Sequence, residues 1–269
     1  MTTHIILNAD DFGHSPDTVA ATIDCFEQGL LTSASLMPNM PAAEKAITFA
    51  LQEPEFSYGL HFTCTGDGAE RPLSPPDEVP ALVDEMGAFL PTNLLRVRAL
   101  LRRLPVEEIE RELTTQLSFL ADAGLRITHV DSHRHLHKFA PFRRAFARTI
   151  GRFGVQFVRN VQDLYLRAPL TSPTYWLGNV WRRSLMKAFS TSDHFFMPTS
   201  AGDTHWQHRL LQVVERLEGS LEVGVHPGFE EPWRDDERRS LAGFVDLARQ
   251  AGHPLITWTE LLALRGTRA

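Results

Sequence analysis

Four short stretches of this chain carry side chains suited to holding a metal and moving protons. Asn8-Ala9-Asp10-Asp11-Phe12-Gly13 offers two adjacent carboxylates, His61 follows Gly59-Leu60, imidazoles recur at His129, His133, His135 and His137 around Asp131, and His226 precedes Pro227-Gly228. One carboxylate with two imidazoles is a common open metal site, in which three protein ligands leave room for water and substrate. Such a metal lowers the pKa of bound water and polarises a carbonyl oxygen. Asp11, His61 and His133 would supply the three ligands. Asp10 would then be a general base, and His226 a general acid for a departing amine. Taken singly, each group has an ordinary reading as a turn carboxylate or a buried histidine. Together they compose a hydrolase, provided that one fold gathers them.

The elements that must do so alternate along the chain. The apolar run Ile5-Ile6-Leu7 reads as a buried parallel strand ending at the two aspartates. Ser15-Pro16-Asp17 is a helix start, with Ser as cap and Pro in the first turn. Further strands are expected at 32–37, 57–63, 128–132, 155–159, 192–197, 221–225 and 255–258. Helices are expected between them, the longest (105–124) carrying the apolar stripe Ile109, Leu113, Leu117 and Leu120. Alternating strands and helices predict an α/β fold with a parallel sheet or barrel, whose chemistry collects at the C-terminal strand ends. Four predicted strands finish in the groups named above. Successive residues on a strand point to opposite faces. Asp10 and Asp11 are therefore expected to face opposite ways, and His129, Asp131, His133 and His135 to share one side. Two irregular insertions interrupt the pattern. Residues 66–104 contain Pro72, Pro75, Pro76 and Pro80, and residues 160–193 are rich in Tyr, Trp and Pro.

At 269 residues, 43% hydrophobic and 22% charged, the chain is expected to form one domain spanning 1–269. A net charge of −6 gives no reason to expect a nucleic-acid partner. Two cysteines, Cys25 and Cys64, make neither a disulfide framework nor a zinc ribbon. The opening residues lack the regions of a signal peptide, and no apolar run approaches a bilayer span, so a cytoplasmic location is expected.

The motifs Asn8–Gly13, Gly59-Leu60-His61, Thr128-His129-Val130-Asp131-Ser132-His133 and His226-Pro227-Gly228 resemble those of the YdjC-like carbohydrate deacetylases. That family includes chitooligosaccharide and hopanoid-biosynthesis deacetylases, and the resemblance spans nearly the whole chain. It implies a distorted TIM-like (β/α) barrel with fewer than eight regular strands. It also implies removal of acetyl groups from N-acetylated sugars with one divalent metal ion, magnesium or zinc. Asp11, His61 and His133 become the metal ligands, Asp10 the base and His226 the acid. Asp131 is expected to orient a ligand. Arg159 is expected to pair with Asp10 or to bind substrate.

The insertions are expected to form the substrate wall, with Tyr165, Tyr175, Trp176 and Trp181 available to stack on sugar rings. Residues 176–189 read as a basic amphipathic helix. Its apolar side would carry Val180, Leu185 and Phe189, opposed by Arg182, Arg183 and Lys187. This suits a peripheral membrane contact and a lipid-linked sugar, docking on the chain itself, or a homodimer. Three rival readings stand beside the deacetylase. They are an Fe(II) oxygenase built on His129 and Asp131, a sugar-binding barrel without catalysis, and a phosphoesterase recruiting His135 and His137 for further metals.

Overall fold

The computed structural model describes residues 2–66, 70–198 and 206–266. Its strands are β1 (Thr3–Phe12), β2 (Ser33–Leu36), β3 (Ser57–Phe62), β4 (Ile127–Ser132), β5 (Phe157–Val158), β6 (His194–Phe196) and β7 (Gly219–Val225). The helices are α1 (Pro16–Glu27), α2 (Ala43–Gln52), α3 (Thr92–Leu100), α4 (Val106–Asp122), α5 (Ala140–Thr149), α6 (Pro173–Met186), α7 (Trp206–Val214), α8 (Pro232–Gln250) and α9 (Trp258–Gly266). The strands are all parallel, in the order β5-β4-β3-β2-β1-β7-β6. The strand bearing the two aspartates thus sits inside the sheet, as the apolar run requires.

The sheet curls into a distorted barrel. Arg159, directly after β5, bonds Glu222 on β7 at 2.6 Å, although five strand spacings separate those strands. In a flat sheet they would lie about 24 Å apart. Closure between the outer strands is irregular. The Asp163 and Leu164 amides donate to the Phe195 carbonyl, and the Val158 amide donates to Ser190. On β1, Ile5, Leu7 and Ala9 face outward into the main core beneath the helices, whereas Ile6, Asn8 and Asp10 face the barrel interior.

The interior has an apolar floor and a polar upper half. Ile6, Phe157, Ile256, Trp258 and Leu261 form the floor, and Trp258 stacks beneath His129 with ring centroids 5.0 Å apart. The expected final strand at 255–258 is reduced to one bridge at Leu255. There Pro254 and Ile256 bond the two backbone groups of Ile5, and α9 begins at once at Trp258. The His129 ring fills space that only glycine leaves on β3, since a Cβ on Gly59 would lie 2.5 Å from it.

Other sequence expectations hold locally. Ser15 caps α1 in a reciprocal capping box with Thr18. Ile109, Leu113, Leu117 and Leu120 are the buried stripe of α4. From the same face, buried Gln116 bonds both the amide and the carbonyl of Thr63, fixing the exit of β3 just beyond His61. Glu112, one turn earlier, receives the Leu73 and Ser74 amides of the first insertion. That insertion contains α3, while its residues 67–69 lie outside the described residues.

Candidate active site

Alternation along β1 would turn Asp11 away from the barrel. Instead the pairing with β2 shifts register between Ala9 and Phe12, and Asp11 takes a left-handed backbone at φ 59°. Bulges of this kind re-aim side chains beside sites. Arg234 of α8 holds the strained residue from the other side, donating to Asp11 Oδ2 at 2.8 Å. The two aspartates do have different partners, but a backbone kink rather than strand alternation brings that about.

Asp11 Oδ1 lies 3.4 Å from His61 Nε2 and 3.3 Å from His133 Nδ1. One donor atom from each of the three residues falls within 4.8 Å of the other two. Oδ1 is buried and has no hydrogen-bond partner among the described residues. Burial alone would raise the Asp11 pKa, but His133, His226 and His61 hold it well below the usual carboxylate range. An ionised, buried oxygen lacking a donor and flanked by two imidazole nitrogens fits a divalent cation. The Asp131 carboxylate accepts from His61 Nδ1 at 2.8 Å, which leaves Nε2 as the lone-pair nitrogen towards Asp11. Burial opposes protonation of His61, but Asp131 outweighs it and the pKa is pushed up to about 9. A cation at the cluster would therefore replace a proton there.

His133 reaches the cluster from beyond the end of β4. The strand stops at Ser132, and His133–Lys138 form a 3-10 turn in which Arg134 and His135 are both left-handed. This overturns the expectation that His135 shares a face with His133, because the pair of left-handed residues breaks the alternation. The His135 ring packs instead against Phe195 and His137, at 6.0 and 6.2 Å. Burial, then Lys138, holds His135 well below the usual imidazole range. His137 is fully buried, with Nδ1 2.8 Å from Ser132 Oγ. His129 sits deeper, between Ser35, Asn8 and Thr128, and burial lowers its pKa to about 3.

Below the cluster, one enclosed guanidinium gathers three carboxylates. Arg159 grips Asp10 with two bonds of 2.6 and 2.7 Å, and meets Asp131 at 2.5 Å and Glu222 at 2.6 Å. The Asn8 amide adds a 2.9 Å bond to Asp10. Arg159 is wholly buried, so of its two expected roles the pairing with Asp10 is the one present. Asp10, His61 and Asp131 form a second His/carboxylate group, but Arg159 is already paired with both of its carboxylates. Burial drives the Glu222 pKa up to about 7, against the pull of Arg159.

His226 leaves β7 with its backbone N–H on Glu237 Oε2 at 2.8 Å and its Nδ1 3.1 Å from the same oxygen. Burial opposes its charge, but Glu237 and the aspartates prevail and the pKa is raised. The Trp233 ring lies 5.5 Å away. Glu222, Trp233, Arg234 and Glu237 are absent from the sequence reading. A lone glutamate in an apolar strand, and the one-turn spacing 233, 234, 237 after His-Pro-Gly, were the available signals.

Among the aromatic residues of the second insertion, Tyr165 and Trp181 line a small pocket with His135 and His137. Tyr175 packs on Tyr165 and Trp176 at 5.2 and 5.3 Å, and the Trp176 indole N–H donates to Leu170 O at 2.9 Å. Trp181 packs on Phe139, beneath the Lys138 ammonium. The expected two-sided pattern of 176–189 is only partly realised. Leu185 and Phe189 pack inward, but Val180 is exposed, and Arg182 turns in to Asp163 and the Asp193 carbonyl.

Fold and cluster together define a curled parallel α/β barrel whose C-terminal strand ends bring Asp11, His61 and His133 into one group that could hold a metal ion. A family model described as YdjC-like protein matches residues 4–260, and the chain belongs to that family. A carbohydrate deacetylase of Geobacillus stearothermophilus is 44% identical over 231 residues, covering 85% of this chain and 81% of that protein. One from Thermoanaerobacter pseudethanolicus is 29% identical over 263 residues, covering 96% and 92%. Among solved structures, an Enterococcus faecalis V583 protein described as a cellobiose-phosphate cleavage protein shares the fold with a TM-score of 0.80. That match covers 97% of this chain and 99% of that one at 23% identity. Among the described residues, no helix is long and apolar enough to cross a membrane.

Proposed function

We propose that the chain is a metal-dependent carbohydrate deacetylase that hydrolyses the acetamide of an N-acetylated amino sugar, in an oligosaccharide or a glycolipid. The observation that carries this reading is the buried, ionised Asp11 Oδ1 without a donor, set between His61 and His133. The names of the relatives point the same way.

Asp11, His61 and His133 would hold one divalent ion, magnesium or zinc. When bound, such an ion polarises the acetyl carbonyl and makes water more acidic. Every other part falls to the chain itself. Arg234 occupies Asp11 Oδ2 and so leaves Oδ1 for the ion. Asp131 fixes the tautomer of His61. Asp10 takes the proton of the attacking water, with Arg159 fixing its orientation. His226, whose pKa Glu237 raises against the effect of burial, gives a proton to the departing amine through Nε2, since Nδ1 is engaged. The products are acetate and a free amine. A second metal at Asp10, His61 and Asp131 would have to share His61 with the first and displace Arg159 from two carboxylates, which speaks against a two-metal phosphoesterase.

The test is acetate release from N-acetylglucosamine oligosaccharides by chelated protein, before and after magnesium or zinc is restored. Metal-restored release is expected. Binding of one metal equivalent without release from any soluble or lipid-linked N-acetyl sugar would overturn the activity.

A further inference from the structure

Exposed apolar side chains gather on two helices that flank the His133–Lys138 turn, at the end of the barrel bearing the cluster. In α3, Leu95 and Ala99 face inward, whereas Leu94, Val97 and Leu101 recur three and four residues apart on the solvent side, at 41, 52 and 56% exposure. In α6, Gly178, Leu185 and the edge of Trp181 face inward. Its outer stripe begins with Trp176 and Val180, each 63% exposed, and continues at helical spacing through Arg183 and Lys187. Both helices are tied to the same turn. Arg96 of α3 donates to the Arg134 carbonyl at 2.9 Å, and Lys138 lies 5.2 Å from the Trp181 ring centre.

Within the segments that carry these stripes the charge runs against that of the whole protein, although Asp77, Asp84 and Glu85 line a pocket with Arg98 of α3. The chain has 33 acidic residues against 27 basic ones, yet 91–106 contains no Asp or Glu and 132–192 contains only Asp163. That one carboxylate is engaged by His194, Arg182 and the Phe195 amide. Arg102 and Arg103 at the end of α3 and Arg183 and Lys187 on α6 are exposed, and none enters an ion pair among the described residues. An exposed indole and aliphatic side chains bordered by unpaired cations suit the interface of an anionic bilayer. There the rings sit at headgroup level and the cations meet lipid phosphates. A two-fold contact between copies of this face would instead set like charges against each other.

We propose that the solvent side of α3 and α6 is a docking surface for an anionic lipid bilayer, holding the cluster end of the barrel towards the membrane. The proposal is independent of the reaction assigned above. It is tested by co-sedimenting the full chain with neutral phosphatidylcholine vesicles and with vesicles containing roughly one third phosphatidylglycerol, at low and high salt. Binding is expected to the anionic vesicles only, and to weaken with salt. The variants Val180→Ser/Arg183→Glu/Lys187→Glu and Val97→Ser/Leu101→Ser/Arg103→Glu should each lower the partition coefficient by about tenfold or more, with unchanged melting curves. Failure of the native chain to bind, or equal binding to neutral vesicles, would overturn the proposal. So would a dimer that the same substitutions dissolve, because the face would then belong to a second copy.

Discussion

Replacing Arg159 with methionine removes the cation shared by Asp10, Asp131 and Glu222, while roughly keeping the side-chain volume. Each carboxylate lies in direct contact with the guanidinium, and at an effective dielectric near 20 a unit pair some 4 Å apart interacts by about 4 kcal/mol. The three do not add. Glu222, its pKa near 7, sheds much of its charge by taking up a proton, and Asp131 keeps the His61 N–H. Asp10 is left with only the Asn8 amide in a site 1% exposed. The cost is therefore that of one stranded buried charge, about 3–5 kcal/mol. For a chain of this size that corresponds to a fall of about 6–20 °C in Tm. Denaturant titration of metal-free native and Arg159→Met proteins measures it directly. Arg159→Lys should recover only part, because one ammonium cannot reproduce a fork bound to three carboxylates. A loss below about 1 kcal/mol for Arg159→Met would mean that the three carboxylates are not stranded and that the network argument is wrong.

Asp11→Asn should abolish the thermal stabilisation that added zinc or magnesium gives the native chain, whereas Asp10→Asn should keep it and lose about 10²–10⁴-fold in turnover. Melting curves with titrated metal separate the two roles. Glu237→Gln removes the partner that raises the His226 pKa, so the alkaline limb of the pH–rate profile should move to lower pH. An unmoved limb would deny His226 the role of acid. Glu222 has its folded pKa raised from 4.5 to about 7, so the native state binds more protons than the unfolded chain between those values. Its contribution is favourable at low pH and is lost as pH rises through that window, by about 3 kcal/mol at most. Stability measured at pH 5 and pH 8 should therefore fall less steeply for Glu222→Gln than for the native chain.

The order of elements and the strand ends bearing Asp10, Asp11, His61 and His226 were legible in the sequence, because parallel strands announce themselves as apolar runs with polar ends. Alternation misled wherever the backbone departs from a strand. Asp11 is aimed by a left-handed residue after a register shift, and His135 is turned aside by a left-handed pair. A single sequence carries no period for either event. Nor does it show that α8 returns Arg234 and Glu237 to groups located at the ends of β1 and β7. Long-range pairing decided those contacts. The split of α6 also escaped, since helical spacing fixes which residues share a face but not which face the barrel takes.

The bracket that residues 254–256 place around Ile5 has a consequence for the order of events as the chain is made. β1 carries both aspartates, yet one flank of it is β7 and its floor is the segment leading into α9. A nascent chain with everything through Arg159 outside the ribosome would still lack Glu222, His226, Arg234 and Trp258. The central strand would meanwhile be an open edge on one side, with its charges facing water. Completion must wait until residues 254–258 have emerged, so the site is expected to assemble only after all of β1 to β7 have been made.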